Sequence, residues 1–237
     1  YRVAMSANAE VPVVLLHGWA GSYAETWHTT GLDDLLQDAG RAVLGVDLLG
    51  HGDAPKPHDP EAYADMGSWL LTRLEGEAPV LDAVGFSLGA LTLLAALRAR
   101  PDRFGRVLLS GIGDGVFSQR DPEEGRRIVD ALEGRGDPAD TGAQVFANYA
   151  NSPGKDKDAL TAIMKRPPSE PVDEASLASI PNEVLVVIGE NDFAAPAERL
   201  AGAFPNGRLV VLRNTDHFAT PESFKFIDAV LGFLGDS

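Results

Sequence analysis

The chain has 237 residues, a length that suits one domain with a large buried core. Its formal net charge of −15 at pH 7 argues against binding nucleic acid or an anionic membrane through general electrostatics, and it favours neutral or cationic substrates. The absence of Cys excludes disulfides, thiol catalysis and Cys-ligated metals. No apolar run in the sequence reaches membrane-spanning length.

Strand-like and helix-like segments alternate in the first part of the chain, which predicts a mostly parallel sheet flanked by helices, an α/β fold. In chain order the pattern predicts a strand at 12–16, a helix at 32–39, a strand at 42–46, a helix at 63–74, a strand at 80–84, a helix after Ser87 and a strand at 106–109.

The pattern changes at residue 113. From 113 to 178 the sequence shows no convincing strand, and it predicts three short helices at 123–132, 144–149 and 158–164. The sheet then resumes with a strand at 183–188, a helix at 197–203, a strand at 208–212 and a closing helix at 223–234. We therefore predict a core of residues 1–112 and 179–237 with a helical cap, residues 113–178, inserted between two strands.

Ser87 stands between Gly85 and Gly89, after an apolar run and before a helical pattern. A serine at such a strand-to-helix turn lies on a sharp, strained bend, which exposes its hydroxyl above the edge of the sheet. A Cβ at either glycine would clash where strand and helix cross closely. The backbone N–H of Leu88, at the start of the helix, can point at a developing oxyanion. The strand, turn and helix together predict a nucleophile at Ser87.

A serine nucleophile needs a base within hydrogen-bond reach and a group that orients the base. His217 follows the last predicted strand, so its loop lies at the same edge of a parallel sheet as Ser87. Asp192 follows the preceding strand and gives the chain order nucleophile, acid, base that accompanies such a serine turn. Two alternatives stay open: Asp114 is a rival acid, and Asp192 could instead cap the helix after it.

The loop after the first predicted strand begins His17-Gly18-Trp19 and contains small residues that let the backbone approach a substrate. The N–H of Trp19 is the predicted second donor of an oxyanion hole, beside that of Leu88. The aromatic side chains that could line the substrate pocket are Trp19, Phe117, Phe146 and Tyr149, although at helical spacing such residues also suit a core.

These segments resemble the α/β-hydrolase superfamily over essentially the whole chain. The matching segments are His17-Gly18-Trp19, Asp47-Leu48-Leu49-Gly50-His51-Gly52-Asp53, Gly85-Phe86-Ser87-Leu88-Gly89, Gly189-Glu190-Asn191-Asp192 and Asp216-His217. The resemblance implies a triad of Ser87, Asp192 and His217, an oxyanion hole from Trp19 and Leu88, and a variable helical cap. The chain departs from the family in having fewer strands before the His-Gly segment, and in Asp53-Ala54, where the family often has Ser.

The sequence thus predicts a serine hydrolase of a small, mostly apolar ester, lactone or thioester, acting through an acyl-enzyme. The alternatives are a carbon–carbon bond hydrolase or a haloperoxidase-like perhydrolase with the same triad, and, in another class, a small-molecule receptor that uses the triad little. A dehalogenase is disfavoured, because those proteins resemble this fold but carry Asp at the position of Ser87.

We expect no cofactor and no metal, since no two histidines have the spacing of a metal site. The expected partner is a small acyl substrate, without nucleic acid and without a membrane span, and the sequence leaves the oligomeric state open. We expect a cytoplasmic location. Secretion stays open, because the chain begins at Tyr1 and a cleaved leader would precede it.

Overall fold

The computed structural model describes residues 11–119 and 121–235. Residues 1–10 and 236–237 of the predicted core, and Arg120 of the predicted cap, lie outside the described residues. Within the described residues, none of the helices is long and apolar enough to cross a membrane.

The centre of the fold is a parallel sheet of six strands in the order β2-β1-β3-β4-β5-β6. The strands are β1 Val13–Leu16, β2 Val43–Val46, β3 Leu81–Phe86, β4 Phe104–Ser110, β5 Glu183–Gly189 and β6 Asn206–Leu212. All strands point the same way, so the loops after them meet at one edge. The strand order reverses between β1 and β3, the place where open parallel sheets form their binding sites.

Helices cover both faces of this sheet, as an α/β fold requires. The α-helices are α1 Leu32–Asp38, α2 Met66–Arg73, α3 Leu88–Ala99, α4 Pro122–Leu132, α5 Thr141–Ala150, α6 Lys157–Met164, α7 Glu174–Leu177, α8 Glu198–Gly202 and α9 Phe224–Gly235. The alternation of side chains along β1 divides the core: Val13 and Leu15 belong to the cluster that includes α1 and α9, while Val14 and Leu16 belong to the cluster that includes α2, α3 and α8. The predicted fold class is confirmed.

Residues 113–178, which we call the helical segment, contain α4 to α7 and no strand among their described residues. Each of these helices begins after an aspartate whose side chain accepts a hydrogen bond from a backbone N–H of the first turn. These aspartates are Asp121, Asp140, Asp156 and Asp173. An aspartate at this position typically stabilises a helix by about 1 kcal/mol, which explains why short helices form here.

The structure differs from the sequence-based expectation in a few elements. The single helix predicted at 63–74 is a 3-10 turn at Pro60–Tyr63 followed by α2. Asp65 separates the two, because its side chain accepts a hydrogen bond from the first turn of α2 and starts a new helix. A π-helical turn at Ala24–His28 and the short helix α7 are additional to the prediction.

Candidate active site

Ser87 occupies a strained turn between β3 and α3. Its backbone φ is 52° and its ψ is −113°, a conformation that side-chain-bearing residues rarely adopt. The two flanking glycines allow this turn, as expected. A Cβ on Gly85 would lie 2.8 Å from the Cα of Ala90, and a Cβ on Gly89 would lie 2.5 Å from the carbonyl oxygen of His17. Any larger residue would push α3 away from the sheet.

The hydroxyl of Ser87, the imidazole of His217 and the carboxylate of Asp192 form one hydrogen-bonded line. The Oγ atom of Ser87 lies 3.0 Å from Nε2 of His217, and Nδ1 of His217 lies 2.9 Å from each carboxylate oxygen of Asp192. Both His217 and Asp192 are only 5% exposed. A carboxylate accepts hydrogen bonds, so Nδ1 carries the proton and Nε2 is free to accept one from Ser87.

The rival acid, Asp114, lies elsewhere in the hydrogen-bond network. One of its carboxylate oxygens accepts a hydrogen bond from the N–H of Leu200 at 2.8 Å, at the start of α8. Asp192 was also a candidate to cap the segment that follows it. Its carboxylate does accept a hydrogen bond there, from the N–H of Ala194 at 2.8 Å. This contact and the bonds to His217 coexist, so holding the loop and orienting the imidazole are compatible roles.

The loop after β1 runs beside Ser87. A Cβ on Gly18 would lie 3.4 Å from the Cβ of Ser87 and 2.9 Å from the ring of Phe86, so the backbone passes close to the hydroxyl. Among residues 11–119 and 121–235, the backbone N–H groups of Trp19 and Leu88 have no hydrogen-bond acceptor. They are the two groups that the sequence predicts as oxyanion donors.

Two buried histidines hold this loop in place. Nδ1 of His17 donates to the carbonyl oxygen of Gly18 at 2.7 Å, and Nε2 accepts from the N–H of Leu48 at 3.0 Å. Nε2 of His51 accepts from the N–H of Ala20 at 3.0 Å, a residue whose φ is 60°. The two imidazoles tie the loop after β1 to the loop after β2.

Both histidines stay neutral at neutral pH. Burial lowers the pKa of His17 to about 4 and the pKa of His51 to about 3, because it penalises the charged form of each imidazole. The neighbouring carboxylate of Asp47 favours the charged form of His17 but does not outweigh the loss of water. A neutral ring is required here, because each Nε2 must accept a hydrogen bond.

Five aromatic side chains, which we call the aromatic cluster, are joined by ring contacts, and two of them also contact the imidazole of His217. They are Trp19, Phe146, Tyr149, Phe193 and Phe218. The ring of Phe193 is centred 4.2 Å from the imidazole and that of Phe218 5.5 Å from it. Helix α5 contributes Phe146 and Tyr149, so the cluster joins the helical segment to the loops after β1, β5 and β6.

Sequence reasoning missed two members of the cluster and included one residue that lies apart from it. Phe193 directly follows Asp192 and Phe218 directly follows His217, and that adjacency is the signal that could have identified them. Phe117 instead lies 4.3 Å below the guanidinium of Arg199, and no ring contact joins it to the cluster in the described part of the chain. The expectation that Phe117 lines the pocket gains no support from these contacts.

One group of side chains has the composition of a metal site: His28, Asp33 and Asp34, whose ligand atoms lie within 4.8 Å of one another. Protein donors already occupy the central carboxylate. Asp33 accepts hydrogen bonds from the hydroxyl of Tyr23 at 2.6 Å, from Nδ1 of His28 at 2.9 Å and from the N–H of Asp34 at 2.8 Å. These bonds explain the grouping as an anchor for the start of α1.

The sequence of the chain matches the model of the alpha/beta hydrolase family over residues 13–227. The chain therefore belongs to this family of hydrolytic enzymes, which confirms the resemblance seen in its motifs.

Individual relatives share the sequence more distantly. A 2-hydroxy-6-oxononadienedioate/2-hydroxy-6-oxononatrienedioate hydrolase of Escherichia coli is 26% identical, over 94% of this chain and 86% of its own length. The enol-lactonase of Burkholderia xenovorans LB400 has a similar structure, with a TM-score of 0.77, 19% identity and coverage of 97% and 93% of the two chains. The 2-hydroxy-6-oxo-6-phenylhexa-2,4-dienoate hydrolase of Rhodococcus sp. strain RHA1 follows, with a TM-score of 0.71, 22% identity and coverage of 96% and 91%. Both structures have the same fold.

Proposed function

We propose that this protein is a serine hydrolase of small, mostly apolar esters, lactones or thioesters, acting through an acyl-enzyme. The observation that carries the proposal is the hydrogen-bonded line from Asp192 through His217 to the strained Ser87. Such a line activates a hydroxyl that is otherwise a weak nucleophile.

In the proposed reaction, Ser87 Oγ attacks the carbonyl carbon while Nε2 of His217 takes the hydroxyl proton. The N–H groups of Trp19 and Leu88 stabilise the negative oxygen of the tetrahedral intermediate. His217 then returns the proton to the leaving alcohol or thiol, and the acyl group stays on Ser87. A water molecule attacks this acyl-enzyme in the same way and releases the carboxylic acid. No metal or cofactor takes part in these steps.

We further propose that the helical segment acts as a cap over this site. Its support is physical contact: the indole Nε1 of Trp19 donates to the carbonyl oxygen of Leu160 in α6 at 3.2 Å, and Phe146 of α5 lies against Trp19 at a ring distance of 5.5 Å. Trp19, Phe146 and Tyr149 are then the pocket residues that the helical segment and the loop after β1 contribute together.

A carbon–carbon bond hydrolase with the same three residues is the second candidate. The E. coli relative, whose name states a hydrolase of a 2-hydroxy-6-oxo dienedioate, favours it at 26% identity. The net charge of −15 favours ester hydrolysis, because a negatively charged protein attracts a substrate with two carboxylates less well than a neutral ester. Comparing short-chain esters with a vinylogous diketone under identical conditions separates the two.

The assignment of the acid is tested with Asp192→Asn and Asp114→Asn against p-nitrophenyl acetate. Asp192→Asn should lower kcat by about 10⁴, because an amide no longer stabilises the imidazolium and favours the wrong tautomer. Asp114→Asn should keep near-normal kcat, since its amide oxygen still accepts the N–H of Leu200. Wild-type protein should release a burst of p-nitrophenol equal to the enzyme concentration. Absence of hydrolysis, or a large loss confined to Asp114→Asn, contradicts the proposal.

A further inference from the structure

We infer that the aromatic cluster binds a planar aromatic ring of the substrate, and that Phe193 and Phe218 determine this preference. The inference rests on the proposed function, because it names the substrate class of the same site. It concerns which acyl or alcohol groups are accepted, whereas the proposed function concerns the bond that is cleaved.

Three members of the cluster are exposed, and two of them, Phe193 and Phe218, directly contact the buried imidazole of His217. Phe193 is 62% exposed, Tyr149 44% and Phe218 38%, while the imidazole of His217 beneath them is almost fully buried. Three separate elements supply these rings: the loop after β5, the loop after β6 and helix α5. Contiguous exposed apolar surface is characteristic of a binding site.

The position of the cluster identifies its occupant as substrate. Phe193 lies against the imidazole whose Nε2 is 3.0 Å from Ser87 Oγ, so a ligand on these rings is next to the reacting hydroxyl. The net charge of −15 disfavours an anionic lipid surface at this patch and fits an uncharged ligand.

The exposed rings favour an aromatic ligand over a saturated one. Tyr149 and Phe218 are stacked at an interplanar angle of 22°, whereas Phe146 meets Phe218 edge-on at 70°. The rings thus already pair with one another face to face and edge to face, and the exposed parts of Phe193, Tyr149 and Phe218 leave ring surface with which a further aromatic group can pair. Such pairing contributes a factor of about 2 to 12 in affinity beyond the burial of area, which a cyclohexyl ring of the same size does not gain.

The test compares isosteric substrates on each side of the ester bond by pH-stat titration. Ethyl phenylacetate is paired with ethyl cyclohexylacetate for the acyl side, and benzyl acetate with cyclohexylmethyl acetate for the alcohol side. The variants are Phe193→Leu and Phe218→Leu. Phe224→Leu is the matched control, because Phe224 is 83% exposed at the start of α9 and has no ring contact with the cluster among the described residues.

Wild-type protein should prefer the phenyl member of at least one pair by about 2- to 12-fold in kcat/KM. Phe193→Leu and Phe218→Leu should reduce this ratio towards 1, and Phe224→Leu should keep it. The ratio is the readout because a general disturbance of His217 would slow both members of a pair equally.

Hydrolysis of the esters without a phenyl preference would overturn the inference and leave the proposed function standing. A second result would also overturn the inference: Phe193→Leu keeps the phenyl preference but changes the mass of the protein assembly in analytical ultracentrifugation. The patch would then be an interface between copies of the chain. If none of the four esters is hydrolysed, the result contradicts the proposed function itself.

Discussion

At Ser87 the backbone conformation that the proposed chemistry uses lowers the stability of the folded protein. The backbone angles of 52° and −113° match those of the first central residue of a tight turn that glycine normally occupies. A serine held in such a region costs on the order of 1–3 kcal/mol, and the surrounding structure must impose it. The position therefore carries a side chain at the expense of stability, which is expected of a reacting group.

Two substitutions at Ser87 separate these contributions. Ser87→Ala and Ser87→Gly should both lose nearly all turnover, on the order of 10⁶ in kcat, because the nucleophile is gone. Ser87→Gly should also raise the free energy of unfolding above that of Ser87→Ala by about 1 kcal/mol, since glycine adopts the turn without strain. Urea unfolding of both purified variants measures this difference. Equal stabilities would mean that the turn is not strained, and activity within tenfold of wild type would exclude Ser87 as the nucleophile.

At the scale of whole elements, the formation of the helices in the helical segment depends on local capping residues, whereas the formation of the strands depends on the burial of apolar side chains. Helices α4 to α7 are short, and each begins at an aspartate that satisfies free N–H groups of its first turn. The strands are apolar on both faces because helices cover both faces, so continuous apolar runs identify them. If the helical segment covers the site as proposed, the loss of a capping aspartate in this segment should change substrate binding.

Asp140→Ala and Asp65→Ala make a matched pair for this expectation. Each removes a side chain that accepts a hydrogen bond at the start of a helix, α5 in the first case and α2 in the second. Each should weaken its helix by about 1 kcal/mol. Asp140→Ala should raise KM for apolar esters, because α5 carries Phe146 and Tyr149, whereas Asp65→Ala should leave KM unchanged. Steady-state kinetics together with amide hydrogen exchange of α5 checks this, and equal KM values in the two variants would argue against a cap role.

Sequence patterns predicted most of the elements from their apolar periodicity, and they predicted the three residues of the hydrogen-bonded line because each lies in a loop with local signals at the end of a strand. The glycines around Ser87, the loop of Asp192 and the loop of His217 all have such local signals. Three members of the aromatic cluster were candidates from the sequence, but no local signal groups all five rings, since they come from four separate stretches of chain. The membership of the cluster depends on where α5 lies relative to the loops after β1, β5 and β6, and one sequence alone does not specify that arrangement.

For the molecule as a whole, the two buried histidines, His17 and His51, make the free energy of unfolding depend on pH. Histidines in the unfolded chain titrate near pH 6.5, whereas burial lowers the pKa of His17 to about 4 and that of His51 to about 3. As the pH falls below about 6.5, the unfolded chain binds protons that the folded protein does not, so the stability present above that pH is lost. Each histidine contributes a slope of up to about 1.4 kcal/mol per pH unit.

The free energy of urea unfolding should therefore fall steadily from pH 7 to pH 5. In His51→Gln, the amide oxygen can still accept the N–H of Ala20, and one titrating group is removed. The slope for this variant should be shallower than that of wild type by up to about 1.4 kcal/mol per pH unit. Parallel slopes for the two proteins would show that His51 does not take part in the acid sensitivity.

The hydrogen bond from His17 to the carbonyl oxygen of Gly18 also orients the N–H of Trp19, because both groups belong to one rigid peptide unit. The peptide group between Gly18 and Trp19 is planar, so its C=O and its N–H point in opposite directions. Nδ1 of His17 at 2.7 Å and the N–H of Gly21 at 3.1 Å together fix the carbonyl, and the direction of the Trp19 N–H is fixed with it. The proposed oxyanion donor is thus preorganised: its orientation is established once, when the chain folds, and does not have to be recovered in each catalytic cycle.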